Sequence, residues 1–306
     1  MAAQDTELQH GYVDLKDVRL HYASRGQGRL MLFLHGFPEF WAAWEAQLSF
    51  FGAHFQAVAP DLRGYNLSSK PPAIEQYHIK ALTADIAGLA DQLGHRTMVL
   101  VAHDWGGGVA WAFANRYPDR VEKLIIINSP HPAIFARELL QNPEQRQASG
   151  YMNQLREPDA ERDLSADHYA FLMQALEAGG SRWQMDDGLR RRYIEAWSQP
   201  GALTGGLNYY RVSPLHPAAS PEEENVLRQI ARAPRDLFAV KVPTLVIWGE
   251  EDHALLTGNL EGLEAYVDQL TIRRIPDGTH WVVHEQPDRV NALIAAFVGD
   301  IGQTGD

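Results

Sequence analysis

The residues best placed for chemistry lie in the segment Ala102-His103-Asp104-Trp105-Gly106, which follows the apolar run 98–101. An apolar strand that turns sharply into a helix, with small residues flanking one reactive side chain, presents that side chain as a nucleophile. Asp104 holds the reactive position here. The alternative is that Asp104 caps the following helix, because aspartate is a favoured residue at helix N-termini.

A carboxylate nucleophile limits the electrophiles that can react. Its attack on an ester or amide carbonyl would form an anhydride, which is an unfavourable step. Its attack on a saturated electrophilic carbon forms an ordinary ester on the enzyme, and water then has to hydrolyse that ester. Asp104 therefore indicates substrates such as epoxides or alkyl halides.

Hydrolysis of an ester on Asp104 needs a base, and His280 has the sequence context of one. It follows the predicted strand 270–275 and the turn 276–278, and the ligands of parallel sheets gather at the carboxyl ends of strands. We predict structural roles for four other histidines, His54, His78, His95 and His103.

A catalytic imidazole also needs a carboxylate that holds its tautomer and stabilises its cation. Asp252 follows the predicted strand 244–249 and completes the chain order of nucleophile, acid and histidine. Glu250 and Glu251 are alternatives, and we expect them to be solvated loop charges. The sequence thus predicts Asp252 as the acid of a catalytic triad.

The oxyanion that forms during ester hydrolysis needs two backbone N–H donors. We predict one donor at Trp105, the residue after the nucleophile, and the other at Phe37, in the loop His35-Gly36-Phe37-Pro38-Glu39. Gly36 permits a close approach of the backbone, and Pro38 stiffens the loop. Taken alone, this loop is equally consistent with an ordinary Gly/Pro turn.

Composition and charge exclude several classes of protein. The chain has 306 residues, no cysteine and a formal net charge of −12. It can form neither disulfides nor thiolate metal sites, and its charge disfavours binding to nucleic acid or to anionic membranes. The polar start 1–10 lacks the apolar core of a signal peptide, and no run approaches the ~20 apolar residues of a membrane helix. We expect a cytoplasmic protein.

Short apolar runs alternate with helical patterns along much of the chain. This alternation predicts an α/β fold with a mostly parallel central sheet flanked by helices, and the continuously apolar runs predict strands buried on both faces. The predicted strands are Val18–Ala23, Leu30–His35, Ala57–Pro60, Met98–His103, Leu124–Asn128, Thr244–Gly249 and Leu270–Ile275. The predicted helices are Ile79–Leu93, Gly106–Arg116, Leu260–Asp268 and Asp288–Val298.

The alternation stops after Asn128 and resumes at Val242. The intervening stretch has a helical pattern, is punctuated by proline and is rich in Tyr, Trp and Arg. We therefore predict a core formed by residues 1–128 and 237–306, with residues 129–236 inserted as a helical lid.

Together these motifs resemble the α/β-hydrolase-fold epoxide hydrolases of the soluble type, over nearly the whole chain. The resemblance implies that fold and the hydrolysis of epoxides to vicinal diols through an ester on Asp104. Dehalogenases of the same fold share much of the set. The motifs are His35-Gly36-Phe37-Pro38-Glu39, His103-Asp104-Trp105-Gly106-Gly107, Trp248-Gly249-Glu250-Glu251-Asp252 and Gly278-Thr279-His280-Trp281.

Two lid tyrosines favour epoxide opening over halide release, because an alkoxide leaves poorly without a proton or a strong hydrogen bond. The resemblance places them at Tyr151, in the segment 151–158, and at Tyr210, in the segment 207–211. A phenol with a pKa of about 10 stays protonated at neutral pH and can assist the alkoxide. Tyr209 is an alternative for the second position, and aromatic packing is the alternative role for all of them.

Two other functions are alternatives. Haloalkane dehalogenases resemble this chain but place Asn where it has Phe37, and fluoroacetate dehalogenases carry arginines where it has Trp105 and Gly108. Trp105 could still donate its indole N–H to a halide. A non-catalytic ligand receptor of the same fold is the second alternative, although this sequence keeps nucleophile, base, acid and both tyrosines.

The predicted mechanism requires neither a metal nor an organic cofactor. We expect a small apolar epoxide and water as partners, no nucleic acid or membrane, and a monomer or a homodimer. Aromatic residues near the first loop predict an apolar pocket. Its predicted lining is His35, Pro38, Trp41 and Trp281.

Overall fold

The computed structural model of the protein describes residues 7–177 and 183–299. In these residues eight strands form one sheet: β1 (Gln9–Asp14), β2 (Arg19–Arg25), β3 (Leu30–Leu34), β4 (Gln56–Pro60), β5 (Met98–His103), β6 (Val121–Ile127), β7 (Thr244–Gly249) and β8 (Leu270–Ile275). Their order across the sheet is β1-β2-β4-β3-β5-β6-β7-β8. The β1–β2 and β2–β4 pairs are antiparallel, and the other neighbours are parallel. The predicted fold class is confirmed.

Helices pack against this sheet in two groups. In the first group, α3 packs against β5, β6 and α2. In the second group, α1 packs against β2 and β4, and α12 packs against α1 and β7. The helices are α1 (Glu45–Phe51), α2 (Ile79–Gln92), α3 (Asp104–Arg116), α4 (Pro132–Gln141), α5 (Pro143–Ala148), α6 (Tyr151–Gln154), α7 (Ala160–Glu177), α8 (Asp187–Ser198), α9 (Ala202–Val212), α10 (Pro221–Ala231), α11 (Val282–Glu285) and α12 (Pro287–Val298). Within the described ranges, the helices fall short of the length and apolar character needed to cross a membrane.

The burial of the strands explains which of them the sequence revealed. β3, β5 and β7 are buried along their whole length, so each reads as a continuous apolar run. The edge strand β1 is mostly exposed and polar, and it was missed. The predicted helix Leu260–Asp268 is wrong, because the chain there forms two short 3-10 turns separated by Gly262, whose φ is 81°.

The chain between β6 and β7 is helical in its described residues and comprises α4 to α10. It packs on loops at the carboxyl ends of the parallel strands. The indole N–H of Trp197, on α8, donates to the carbonyl of Pro38 at 2.6 Å. On α9, the hydroxyl of Tyr209 donates to the carbonyl of Arg63 at 2.9 Å. These contacts place α8 and α9 directly over the end of the sheet that carries Asp104.

Close backbone contact between α9 and the loop after β4 generates a stability prediction. A Cβ on Gly205 would lie 2.2 Å from the carbonyl oxygen of Gly64. We expect Gly205→Ala to lower the free energy of unfolding by about 1–3 kcal/mol, because the helix has to move off the loop. Thermal unfolding measures the effect.

The matched control is Gly108→Ala, on α3. Its Cβ would meet nothing nearer than Trp105, at 3.9 Å. Alanine is also the better helix former, by about 1 kcal/mol. This variant should unfold at the same temperature as the parent or higher. An unchanged unfolding temperature for Gly205→Ala would contradict the close packing of α9 on the loop after β4.

Candidate active site

Asp104 lies at the sharp bend between β5 and α3. Its φ of 48° is in the left-handed region, a strained conformation that costs an L-residue on the order of 1–3 kcal/mol. The N-cap of α3 is His103 and no side chain caps this helix end, so the alternative role of Asp104 as a helix cap does not hold. Its carboxylate Oδ1 accepts the N–H of Phe37 at 2.8 Å, and Oδ2 lies 3.6 Å from Nε2 of His280. The bend thus presents the carboxylate to the N–H of Phe37 and to the ring of His280.

Two glycines allow the backbone to come this close to the carboxylate. A Cβ on Gly36 would lie 2.2 Å from Oδ1 of Asp104, and one on Gly106 would lie 2.3 Å from the carbonyl oxygen of Leu34. On the other side, the hydroxyl of Ser129 donates to the backbone carbonyl of Asp104 at 2.7 Å. Asp104 is therefore held from three directions.

His280 lies between two carboxylates. Its Nδ1 donates to Oδ2 of Asp252 at 2.7 Å, and its Nε2 faces Asp104. Burial alone would lower the pKa of His280, but the charges and hydrogen bonds of Asp252 and Asp104 outweigh burial and raise this pKa to about 10. The imidazole is therefore a cation at neutral pH while Asp104 is ionised.

Asp252 is buried and hydrogen-bonded on both oxygens. Its Oδ1 accepts the N–H groups of Ala254 and Leu255, at 2.8 and 2.9 Å. Its Oδ2 accepts from Asn128 Nδ2 at 2.8 Å, in addition to His280. Burial would raise the pKa of Asp252, but these partners hold it below its usual range. Sequence reasoning missed Asn128, whose signal was its position at the end of β6.

The alternative acids are placed elsewhere. The carboxylate of Glu250 accepts from Arg274 at 2.9 Å, on the outer side of β8. Glu251 is exposed. Among the three acidic residues of this loop, Asp252 is the one that pairs with His280.

The structure brings Tyr151 and Tyr210 together, with ring centroids 6.3 Å apart and an interplanar angle of 74°. Burial, and after it the negative charge of Asp104, raises the pKa of Tyr151, with partial opposition from a hydrogen bond with Tyr210. Burial, the neighbouring Tyr151 and Asp104 raise the pKa of Tyr210. Both phenols therefore stay protonated at neutral pH. The hydroxyl of Tyr209 is instead committed to the carbonyl of Arg63.

The two predicted oxyanion donors belong to residues on either side of Asp104 in space: Phe37 in the first loop, and Trp105 directly after Asp104 on α3. The N–H of Phe37 already reaches Asp104, and the N–H of Trp105 belongs to the first turn of α3, where backbone donors lack partners within the helix. The ring of Tyr210 packs edge-on against both side chains, with centroid distances of 5.4 Å to Phe37 and 5.0 Å to Trp105. Tyr210 thus packs against the two residues that are predicted to supply the oxyanion donors.

A cavity of about 530 Å³ leads from Asp104 between α3 and the inserted helices. Its outer end includes Ile79 and Leu237, which are 48% and 61% exposed. Its walls are mainly apolar and include Phe135, Met152, Leu215 and Phe238. Tyr151 and Tyr210 are not lining residues, but their neighbours Met152 and Tyr209 are, as is Trp105.

The four residues predicted to line the pocket do not line this cavity, so that prediction is wrong for it. His35 is fully buried and hydrogen-bonded to backbone groups of its own loop and the next. The carbonyl of Pro38 accepts from the lid, and Trp41 packs against β1 through His10. Trp281 lies against His280 and donates its indole N–H to the lid. These four residues therefore make packing and hydrogen-bond contacts around the site without lining the cavity.

Glu39 is a buried carboxylate that sequence reasoning did not single out. It accepts from His284 Nε2 at 2.5 Å, from the hydroxyl of Tyr193 at 3.1 Å and from His103 Nδ1 at 3.3 Å. The other nitrogen of His103 donates to the carbonyl of His280 at 2.8 Å. Burial would raise the pKa of Glu39, but His284 and His103 lower it below its usual range. Glu39 therefore links the first loop to α8 through Tyr193 and, through His103, to His280.

Comparison with known proteins identifies the family of this chain. Residues 29–287 match the family model described as alpha/beta hydrolase fold. "Epoxide hydrolase 4" of Mus musculus is 39% identical over 94% of this chain and 79% of its own. "Epoxide hydrolase 1" of Caenorhabditis elegans is 36% identical over 94% of this chain and 69% of its own.

A solved structure extends the comparison. It is a mutant of an epoxide hydrolase from Bacillus megaterium complexed with its product, a naphthyloxy-propane-diol. It is 36% identical, covers 94% of this chain and 99% of that chain, and superimposes with a TM-score of 0.86. The chain belongs to the α/β-hydrolase-fold family and, within it, to the epoxide hydrolases.

The charge arrangement around His280 gives a prediction about its titration. We expect Asp252→Asn to lower the pKa of His280 well below 10, because it removes the largest influence that raises this pKa. Glu250→Gln, whose parent carboxylate pairs with Arg274, should leave it unchanged. Nitrogen-15 NMR of the histidine rings during a pH titration measures both.

The sign of the pH effect on stability follows from the same pKa. The folded value lies above the ordinary histidine value of about 6.5, so the charged imidazole stabilises the fold at low and neutral pH. This stabilisation is lost as the pH rises toward 10. A His280 signal that titrates near 6.5 in the parent protein would contradict the ion-pair arrangement.

Proposed function

We propose that this protein hydrolyses epoxides to vicinal diols through an ester on Asp104. One observation carries the proposal: two protonated phenols, Tyr151 and Tyr210, lie beside a carboxylate nucleophile that is paired with His280. Hydrogen-bond donors at this position assist an alkoxide leaving group, whereas a halide leaves without them. Membership of the epoxide hydrolase family supports the same reaction.

In the first half-reaction, a carboxylate oxygen of Asp104 attacks a ring carbon of the epoxide. A carbon–oxygen bond forms, the ring C–O bond breaks, and the epoxide oxygen leaves as an alkoxide that is hydrogen-bonded by Tyr151 and Tyr210. The alkoxide gains one proton and becomes a hydroxyl group. The raised pKa of each phenol keeps it a hydrogen-bond donor throughout.

Ester formation changes the charge balance around His280. The negative charge of Asp104, which helps to raise the pKa of His280, is lost when Asp104 becomes an ester. His280 then releases its proton, which balances the proton that the alkoxide gains. Neutral His280 is the form that can act as a base, so the first step prepares the second.

In the second half-reaction, His280 takes a proton from water and hydroxide adds to the carboxyl carbon of Asp104. The N–H groups of Phe37 and Trp105 hold the oxyanion. Collapse breaks the bond to the substrate oxygen, which leaves as the diol with the proton of the new carboxyl group. Asp104 is again ionised and His280 is again a cation, held by Asp252.

The cavity supports apolar epoxides with a bulky substituent as the substrate class, larger than the small epoxide expected from the sequence. About 530 Å³ with mainly apolar walls accommodates an aryl or long alkyl substituent. The Bacillus megaterium relative was solved with a product that carries a naphthyl group. In the proposed mode, the substituent occupies the cavity while the epoxide reaches Asp104.

The organisation of the chain belongs to the same proposal. Residues 129–236 act as a lid on a core of 1–128 and 237–306; of these, 1–6, 178–182 and 300–306 lie outside the described residues. The lid contributes both phenols and the outer wall of the cavity. A cytoplasmic location and a monomeric or dimeric state stay predictions from the sequence.

Removal of the base should trap the ester. We expect His280→Gln to accumulate protein whose mass is increased by one molecule of epoxide, because ring opening proceeds without the base and ester hydrolysis does not. Intact-protein mass spectrometry after mixing with styrene oxide measures the adduct. The double variant Asp104→Asn/His280→Gln is the control and should gain no mass. A single variant that turns over many times without an adduct would overturn the mechanism.

The phenols should act on ring opening alone. We expect Tyr210→Phe to slow ester formation about 100-fold, within the ~10²–10⁴-fold range of general acid catalysis, and to leave hydrolysis of the ester unchanged. Tyr209→Phe is the matched control, because its hydroxyl serves the carbonyl of Arg63. Rapid-quench mass spectrometry resolves the two steps. Equal slowing by both substitutions would contradict the assigned role of Tyr210.

A further inference from the structure

The two phenols lie on different lid elements, which have to be fixed relative to each other. Tyr151 begins α6, and Tyr210 lies in the last turn of α9. Arg156 follows α6 and reaches the end of α9. Its Nη1 donates to the backbone carbonyl of Tyr210, and it also approaches the carbonyls of Arg211 at 3.3 Å and Ser213 at 3.0 Å.

The end of α9 needs such a donor. The last carbonyls of a helix have no N–H partner within the helix, and together they form the negative end of its dipole. Arg156 places its cationic Nη1 at that point, on a half-buried side chain. This nitrogen and the N–H of Ser213, which donates to the carbonyl of Tyr210 at 3.3 Å, together serve the carbonyls at the end of α9.

A second bond joins the same two segments. Nδ2 of Asn153, on α6, donates to the carbonyl of Pro217 at 2.9 Å. Asn153 and Arg156 lie two and five residues after Tyr151, and their acceptors lie in the segment 210–217. Side chains in and just after the helix that begins with Tyr151 thus donate to backbone carbonyls at and beyond the end of the helix that carries Tyr210.

We propose that Arg156 is a positioning residue for epoxide opening: it sets the separation of the Tyr151 and Tyr210 hydroxyls by tying α6 to the end of α9. This inference rests on the proposed function. When two hydroxyls donate to the same epoxide oxygen, each of them needs a donor–acceptor distance of about 2.5–3.0 Å. A displacement of about 1 Å at either phenol therefore weakens the pair at the moment when the alkoxide forms.

Arg211, the residue after Tyr210, does not have this arrangement. Its guanidinium makes two bonds of 2.7 Å to the carboxylate of Glu161, on α7, and one of 3.0 Å to the carbonyl of Glu157. Arg211 therefore ties α9 chiefly to α7. Arg156 is the arginine whose bonds run directly from the Tyr151 segment to the carbonyl of Tyr210.

The test separates the two chemical steps in Arg156→Met, which keeps the apolar length of the side chain and removes its donors. We expect ester formation with styrene oxide to slow about tenfold, as for a misplacement that costs about 1.4 kcal/mol, and the rate constant for ester hydrolysis to stay within about twofold of the parent. Rapid-quench mass spectrometry gives both rate constants, independently of the fraction of active protein.

Two further variants sharpen the test. Arg156→Lys keeps a cation that can reach the helix end and should recover most of the ester-formation rate. Arg192→Met is the matched control, because it removes a lid arginine that makes two bonds of 2.7 Å to Glu45. It should leave both rate constants unchanged. If the methionine variant does not fold, Arg156→Gln, with one amide donor, takes its place.

The outcomes are distinct. Slower ester formation with unchanged ester hydrolysis supports the positioning role. Unchanged ester formation in Arg156→Met, or equal slowing of both steps, overturns it, because a merely structural residue would not discriminate between them. A parent protein that turns over styrene oxide without any ester on Asp104 would instead overturn the proposed mechanism itself.

Discussion

The site depends on one electrostatic arrangement: an imidazole held between two carboxylates. Asp252 alone in its buried position would be costly to ionise, and the cation of His280 offsets that cost. The same cation faces Asp104, so the carboxylate that we propose as the nucleophile lies beside a proton donor. In the proposed mechanism, esterification removes one of the two negative charges, and His280 then becomes a base without any rearrangement of the fold.

The surrounding structure keeps Asp104, His280 and Asp252 close together and shielded from solvent. Glycines at 36 and 106 let the first loop and α3 press against β3 and the carboxylate. Asn128 and two backbone N–H groups fix Asp252. Glu39 connects the first loop to His284 and to the lid residue Tyr193. The lid in turn brings Tyr151 and Tyr210 to the site, and the bonds of Arg156 to the end of α9 relate one phenol to the other.

The sequence predicted the parts of this protein that leave a local pattern. Buried parallel strands are continuous apolar runs, and the residues just after them gave Asp104, Asp252 and the context of His280. The polar edge strand β1 leaves no such pattern, and a helical spacing at 260–268 was misleading because Gly262 takes a left-handed conformation. Glu39 and Arg156 could not be recognised, since each acts through partners that are distant in the chain, whereas the one signal of Asn128 was its position at the end of β6.

By itself, the sequence determined that an aspartate, an acid and a histidine follow strand ends in that chain order, and from this it predicted the nucleophile and the class of electrophile. These follow from residue types at strand ends, which are local properties. Only the tertiary structure decided which tyrosine faces Asp104 and which is committed to a backbone carbonyl. It also decided that the cavity lies along α3 rather than beside His35 and Trp41. The reason is that a cavity is the space left between elements, and its position depends on how the lid packs on the sheet.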